Sequence, residues 1–154
     1  MIPFSVLAIS FFLLWGMGRL GVKWLATPEA AGRGALVCFF VFTGVTHFTA
    51  MKHDYVAMIP DPLPRGLWVI YLTGVLEIAG AIGLLLPQTR RLAGICLALL
   101  AVAMFPANVH AALNNIPLRG QPPTPLWLRA PLQVLLLVML AWAAIRKPAA
   151  RPPQ

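Results

Sequence analysis

One acidic side chain, Glu77, stands near the middle of an otherwise uncharged run, Trp68 to Leu86. A carboxyl group at that depth of an apolar helix can relay a proton, hold a polar ligand group, or pin one helix to another. Its helical neighbours Thr73, Gly74, Gly80 and Ala81 are small and let a second helix approach closely. His47 follows Thr43-Gly44-Val45-Thr46 at the offset with which Glu77 follows Thr73-Gly74-Val75-Leu76. This spacing predicts two similar small, polar faces set opposite each other. Glu77 and His47 are therefore the candidate catalytic pair, with Glu77 as a proton relay and His47 or His110 as the hydrogen-bonding partner of a carbonyl oxygen.

Further polar groups sit near these two inside or beside apolar runs: Tyr55, Tyr71, Asn108, His110, Arg129 and, one turn on, Gln133. With His47 and Glu77 they form the candidate cofactor- or ligand-binding set. On an ideal helix Asn108 and His110 point about 200° apart and cannot share a face. Each residue also has a packing role open to it. Glu77 can be a protonated pin between helices, His47 an interhelical hydrogen-bonding group, and Arg129 a side chain that reaches for the interface. No metal is expected, because no helix carries a ligand spacing.

The elements that must position these groups follow from composition. Of 154 residues, 60% are hydrophobic and 10% charged, where a soluble domain carries about 25% charge. The chain reads as an all-α integral membrane protein of one compact domain. The formal net charge is +8, but the basic residues lie between apolar runs, where they set topology and meet anionic lipid. Nucleic acid is excluded as a partner. Cys38 and Cys96 lie inside apolar runs without a CxxC, and read as buried small hydrophobes.

Five apolar runs follow in order: Ile2 to Leu25, Gly34 to Met51, Trp68 to Leu86, Leu92 to Leu113, and Leu126 to Ile145. The first has its basic residues at its end, so it reads as a retained helix rather than a signal peptide. Thr27-Pro28-Glu29 suits a helix start. From Lys52 to Gly66, Pro60, Pro62 and Pro64 exclude a regular helix, and the segment reads as an interfacial loop or a lid. Pro87 to Arg91 is a tight basic turn, Pro106 should kink its run or free a carbonyl, and Asn115 to Pro125 is a second Pro-rich loop.

Five spans put the termini on opposite sides. One side holds Arg19, Lys23, Arg33, Arg90, Arg91, Arg146, Lys147 and Arg151, eight in all, and the other holds four, Lys52, Arg65, Arg119 and Arg129. The positive-inside rule places the first side, with the C-terminus, in the cytoplasm and the N-terminus outside. Glu77 then lies about 15 Å below the outer surface at a rise of 1.5 Å per residue. Every strongly polar group within a span falls in the outer half. This asymmetry predicts a polar pocket that opens outward under the two Pro-rich loops.

Several short motifs occur in a fixed order: Gly44-Val45-Thr46-His47-Phe48, Ile59-Pro60-Asp61-Pro62-Leu63-Pro64, Gly74-Val75-Leu76-Glu77, Leu84 to Arg91, Phe105-Pro106-Ala107-Asn108-Val109-His110, and Arg129-Ala130-Pro131-Leu132-Gln133. Together they resemble the DoxX-like family of small bacterial membrane proteins. The resemblance implies a four-helix core at 34–146, an accessory N-terminal helix at 1–26, and a place in the bacterial inner membrane. It also implies a link to quinone or thiol redox complexes, or, in another branch, to assembly chaperones. This chain lacks the paired cysteines that thiol chemistry needs.

Two functions are therefore expected. In the first, a redox-associated subunit binds a quinone or another lipophilic molecule in the outer pocket. The chain carries no motif for a flavin, haem or iron–sulfur centre, so a partner must supply the electrons. In the second, the same face docks a transmembrane partner without catalysis. The bilayer is a partner in both, and a homo-oligomer stays open.

Overall fold

The computed structural model describes residues 2–145, which leaves the basic residues Arg146, Lys147 and Arg151 outside the described chain. All regular structure among the described residues is helical. Helix α1 is Ile2–Arg19, α2 Pro28–Thr46, α3 Lys52–Met58, α4 Leu67–Leu85, α5 Arg90–Leu113 and α6 Leu126–Leu140. A single π-type turn, Ala141–Ile145, extends α6. Five of these segments are long and apolar enough to cross a bilayer, α6 counted with its extension.

The sequence explains most of the boundaries. Thr27 caps α2 by accepting the Ala30 N–H at 3.2 Å, and Pro28 occupies the first turn, where a missing N–H costs nothing. Helix α2 therefore starts six residues before the expected Gly34. It ends at Thr46 rather than Met51. The first run stops as a helix at Arg19, and Gly21, at φ 107°, turns the chain into a short 3-10 segment, Lys23–Leu25. Only a residue without Cβ adopts that conformation readily. The Lys52–Gly66 segment also differs from expectation. Its first half forms α3, because all three prolines fall after Met58 and leave the preceding N–H groups free to bond. Pro106 lies inside α5 without ending it.

Helices α2, α4, α5 and α6 pack in sequence, and the end of α6 returns to α2 to close a ring. Helix α1 packs on the outside against α2. Phe12 and Leu13 of α1 are each more than 60% exposed, an apolar outer surface compatible with a bilayer. The two ends of the ring differ. Towards the start of α2 and the end of α4 it is filled by Leu36, Phe40, Leu84, Leu97 and Leu140, all buried. Towards the other end it is hollow.

The two central helices cross where glycines face each other. A Cβ on Gly74 would lie 2.7 Å from His47 Cβ and 3.1 Å from the Gly44 carbonyl oxygen. A Cβ on Gly44 would lie 3.1 Å from the Gly74 carbonyl oxygen and 3.3 Å from Glu77 Cβ. The paired Thr-Gly-Val segments thus meet face to face, as their spacing suggested. Cys38 and Cys96 are exposed, unpaired thiols rather than buried ones. They fall on the outward faces of α2 and α5, since the inward faces are set by the core residues around them.

Candidate functional site

The hollow end encloses a cavity of ≈ 470 Å³. Phe39, Phe40, Ile70, Met104, Leu132 and Leu136 supply much of its apolar wall. Met58 and Ile59, at the end of α3, and Leu63 and Pro64 after it cover the mouth, with Leu118 and Thr124 from the second Pro-rich loop. Both loops therefore act as a roof. Asp54 Oδ2 accepts the Arg119 N–H at 2.9 Å and ties α3 to the second loop. Pro3 and Phe4 of α1 complete the wall, and Phe4 packs on Phe39 with ring centroids 5.3 Å apart.

Six of the eight expected site residues line this cavity: His47, Tyr55, Glu77, Asn108, Arg129 and Gln133. Glu77 is 6% exposed and His47 4% exposed. They sit together because Gly44 and Gly74 bring α2 and α4 close enough for one side chain to face the other. His47 Nδ1 donates to the Thr43 carbonyl at 3.0 Å and lies 3.6 Å from Glu77 Oε2. A carbonyl can only accept, so Nδ1 carries the hydrogen and Nε2 the lone pair in the neutral ring. At 3.6 Å the Glu77 contact is electrostatic and not a hydrogen bond. Glu77 Oε2 is buried without a hydrogen-bond partner.

Around this pair the hydroxyl groups are spent. Thr43 donates to the carbonyls of Phe39 and Phe40, and Thr73 to those of Val69 and Ile70. Thr46 donates to the Thr43 carbonyl at 2.5 Å, so Tyr55 must be the donor in its 2.8 Å bond to Thr46. The Tyr55 ring lies 4.9 Å from that of His47. Burial pushes the Tyr55 phenol above its ordinary range, against the Thr46 bond, which lowers it. Thr43 and Thr73 also line the cavity. The sequence pattern marked them as face residues but gave no reason to count them as site residues.

The opposite wall is built from α5 and α6. Arg129 donates from Nε to the Thr124 carbonyl at 2.8 Å and from Nη1 to Asn108 Oδ1 at 2.5 Å. It is held in place and does not extend outward. Gln133 donates to the Ala101 carbonyl at 2.9 Å. That carbonyl adjoins the one on Val102 that Pro106 leaves without its helical N–H. The proline and the glutamine thus meet at the same turn of α5.

Two expected residues lie elsewhere. His110 faces away from Asn108, as their spacing required, and its Nδ1 donates to the Met58 carbonyl at 3.0 Å. Its role is to hold the end of α3 onto the bundle. Tyr71 stacks on Phe48, with centroids 5.7 Å apart, and accepts a hydrogen bond from Lys52 Nζ at 3.0 Å. It faces away from the cavity because Ile70 and Thr73 take the inward positions of that turn. Among the described residues no cluster of three His, Cys, Asp or Glu side chains could hold a metal ion.

The arrangement is an apolar chamber with acceptors on one wall and a fixed guanidinium on the other. A family model described as a domain of unknown function, DUF8561, matches residues 36–145. No curated protein and no solved structure matches the chain. The matched span runs from within α2 to the end of the α6 extension and leaves α1 outside it. By this match, which takes in most of the helical ring and its cavity, the chain belongs to the DUF8561 family.

Proposed function

We propose that this is a multi-pass membrane protein that binds a lipophilic small molecule with a polar head in the ≈ 470 Å³ cavity. The observation that carries the reading is Glu77. Its carboxyl is buried, lines the cavity and leaves Oε2 without a partner. An unsatisfied buried carboxyl oxygen costs on the order of 1–3 kcal/mol, which a ligand group would recover. The apolar walls suit a ring or chain, and the polar ends suit its head.

In this reading the ligand is a quinone or a related molecule, and the chain is the membrane subunit of a redox system. A partner protein supplies the electrons, and Glu77 passes protons to and from the bound head with His47 beside it. The DoxX-like resemblance supports the same role and the inner-membrane location. The distribution of basic residues supports an outward-facing cavity with the C-terminus in the cytoplasm.

The test is purification in native lipid nanodiscs, with mass spectrometry of the organic extract and of co-purifying proteins. Wild type should carry an enriched small molecule that Glu77→Gln loses while keeping its helical content. A stoichiometric membrane partner with no enriched molecule would overturn the ligand-binding reading and favour non-catalytic docking.

A further inference from the structure

The wall around Glu77 has an unusual balance of hydrogen-bonding groups. The hydroxyl donors near it bond to backbone or to a neighbouring hydroxyl: Thr43, Thr46, Tyr55 and Thr73, of which Thr43 also lies close enough to turn its hydrogen to Glu77. The His47 Nδ1 hydrogen goes to the Thr43 carbonyl. What remains towards the cavity on this wall is lone pairs, on the threonine and tyrosine oxygens, on His47 Nε2 and on Glu77. The balance is that of ionised Glu77; a neutral carboxyl would add one O–H donor while its other oxygen still only accepts. Spare donors stay on the far wall, where Arg129 Nη2 makes no hydrogen bond among the described residues.

We infer that the cavity selects a head group that donates a hydrogen bond, a hydroxyl or N–H on an apolar body, to the Glu77 wall. A head with acceptors alone leaves Glu77 Oε2 unsatisfied and is held less tightly. For a quinone-type molecule this favours the reduced, hydroxyl-bearing form. The inference rests on the ligand-binding reading above and adds the polarity of what is bound.

Three probes separate the two claims: 4-nonylphenol, its methyl ether 4-nonylanisole, and nonylbenzene. They share one apolar body and differ in the donor and the acceptor. Binding to the wild-type protein in nanodiscs is measured against empty nanodiscs, which corrects for partition into lipid. The phenol should bind about tenfold more tightly than the ether. In Glu77→Leu that preference should shrink to near unity, with circular dichroism as the check on folding. Equal binding of phenol and ether to the wild type overturns the inference and leaves the site reading intact. Binding of all three no better than to empty nanodiscs overturns both.

Discussion

Replacing Gly74 with alanine puts a methyl carbon 2.7 Å from His47 Cβ, 3.0 Å from the Phe48 ring and 3.1 Å from the Gly44 carbonyl oxygen. His47 Cβ and the Gly44 carbonyl are fixed to the backbone of α2 and its cap, so neither can swing aside. Helices α2 and α4 must separate. Overpacking of this kind costs about 1–3 kcal/mol, and the helix preference of alanine over glycine returns up to about 1 kcal/mol. A net loss of about 1–2 kcal/mol corresponds to roughly 2–8 °C in a chain of this size. The control is Gly16→Ala on α1, where a Cβ would meet nothing within 4 Å. Only the propensity gain applies there, so Gly16→Ala should melt at or above wild type. Thermal unfolding of all three proteins in one lipid preparation decides the matter. Gly44→Ala should behave like Gly74→Ala, and the double variant should lose less than the sum, because either methyl opens the same crossing. A Gly74→Ala protein as stable as Gly16→Ala would refute the close-packed crossing and the opposition of His47 and Glu77 that rests on it.

Other consequences are more local. Arg129→Met leaves Asn108 Oδ1 and the Thr124 carbonyl without their donor; a loss of about 1–3 kcal/mol in thermal or denaturant unfolding is expected, whereas an unchanged midpoint would mean the arginine is not held as described. His110→Phe removes the bond to the Met58 carbonyl, so amide hydrogen exchange should speed up across residues 52–58 while the middle of α5 keeps its protection. Topology can be read in a background where Cys38 and Cys96 are replaced by alanine: Gln121→Cys should react with a membrane-impermeant maleimide added outside intact cells, and Gln88→Cys only after lysis. The reverse labelling would invert the proposed orientation.

The site was legible in the sequence to the extent that it depended on helical spacing. Thr43-Gly44 with His47 and Thr73-Gly74 with Glu77 share one offset, and two helices carrying the same small face can approach only through it. The split between Asn108 and His110 was also legible, since both follow Pro106 and two residues on one helix keep their angular separation. Tyr71 was not, because its direction depends on whether Phe48 or the cavity takes the ring, and Phe48 lies in the turn after α2. The tie from Asp54 to the Arg119 N–H joins residues 65 apart, and no local pattern signals it. Helix α3 was missed because three prolines close together masked seven residues before them that lack any.

The sequence by itself determined that five segments are long and apolar enough to span a bilayer, that the polar groups deep within them lie nearer one end, and that Glu77 and His47 lie on small-residue faces. These follow from length, hydropathy and a period of 3.6 residues, which are properties of one segment at a time. The tertiary structure alone decided that the polar half is a chamber and not a packed core, which six of the eight expected site residues line it, and where each hydroxyl hydrogen goes. Those outcomes depend on how far apart four helices settle once Gly44 and Gly74 meet, Leu36, Leu84, Leu97 and Leu140 fill the other end, and Arg129 is fixed to Asn108. Packing between segments distant in the chain sets that spacing, and no single segment encodes it.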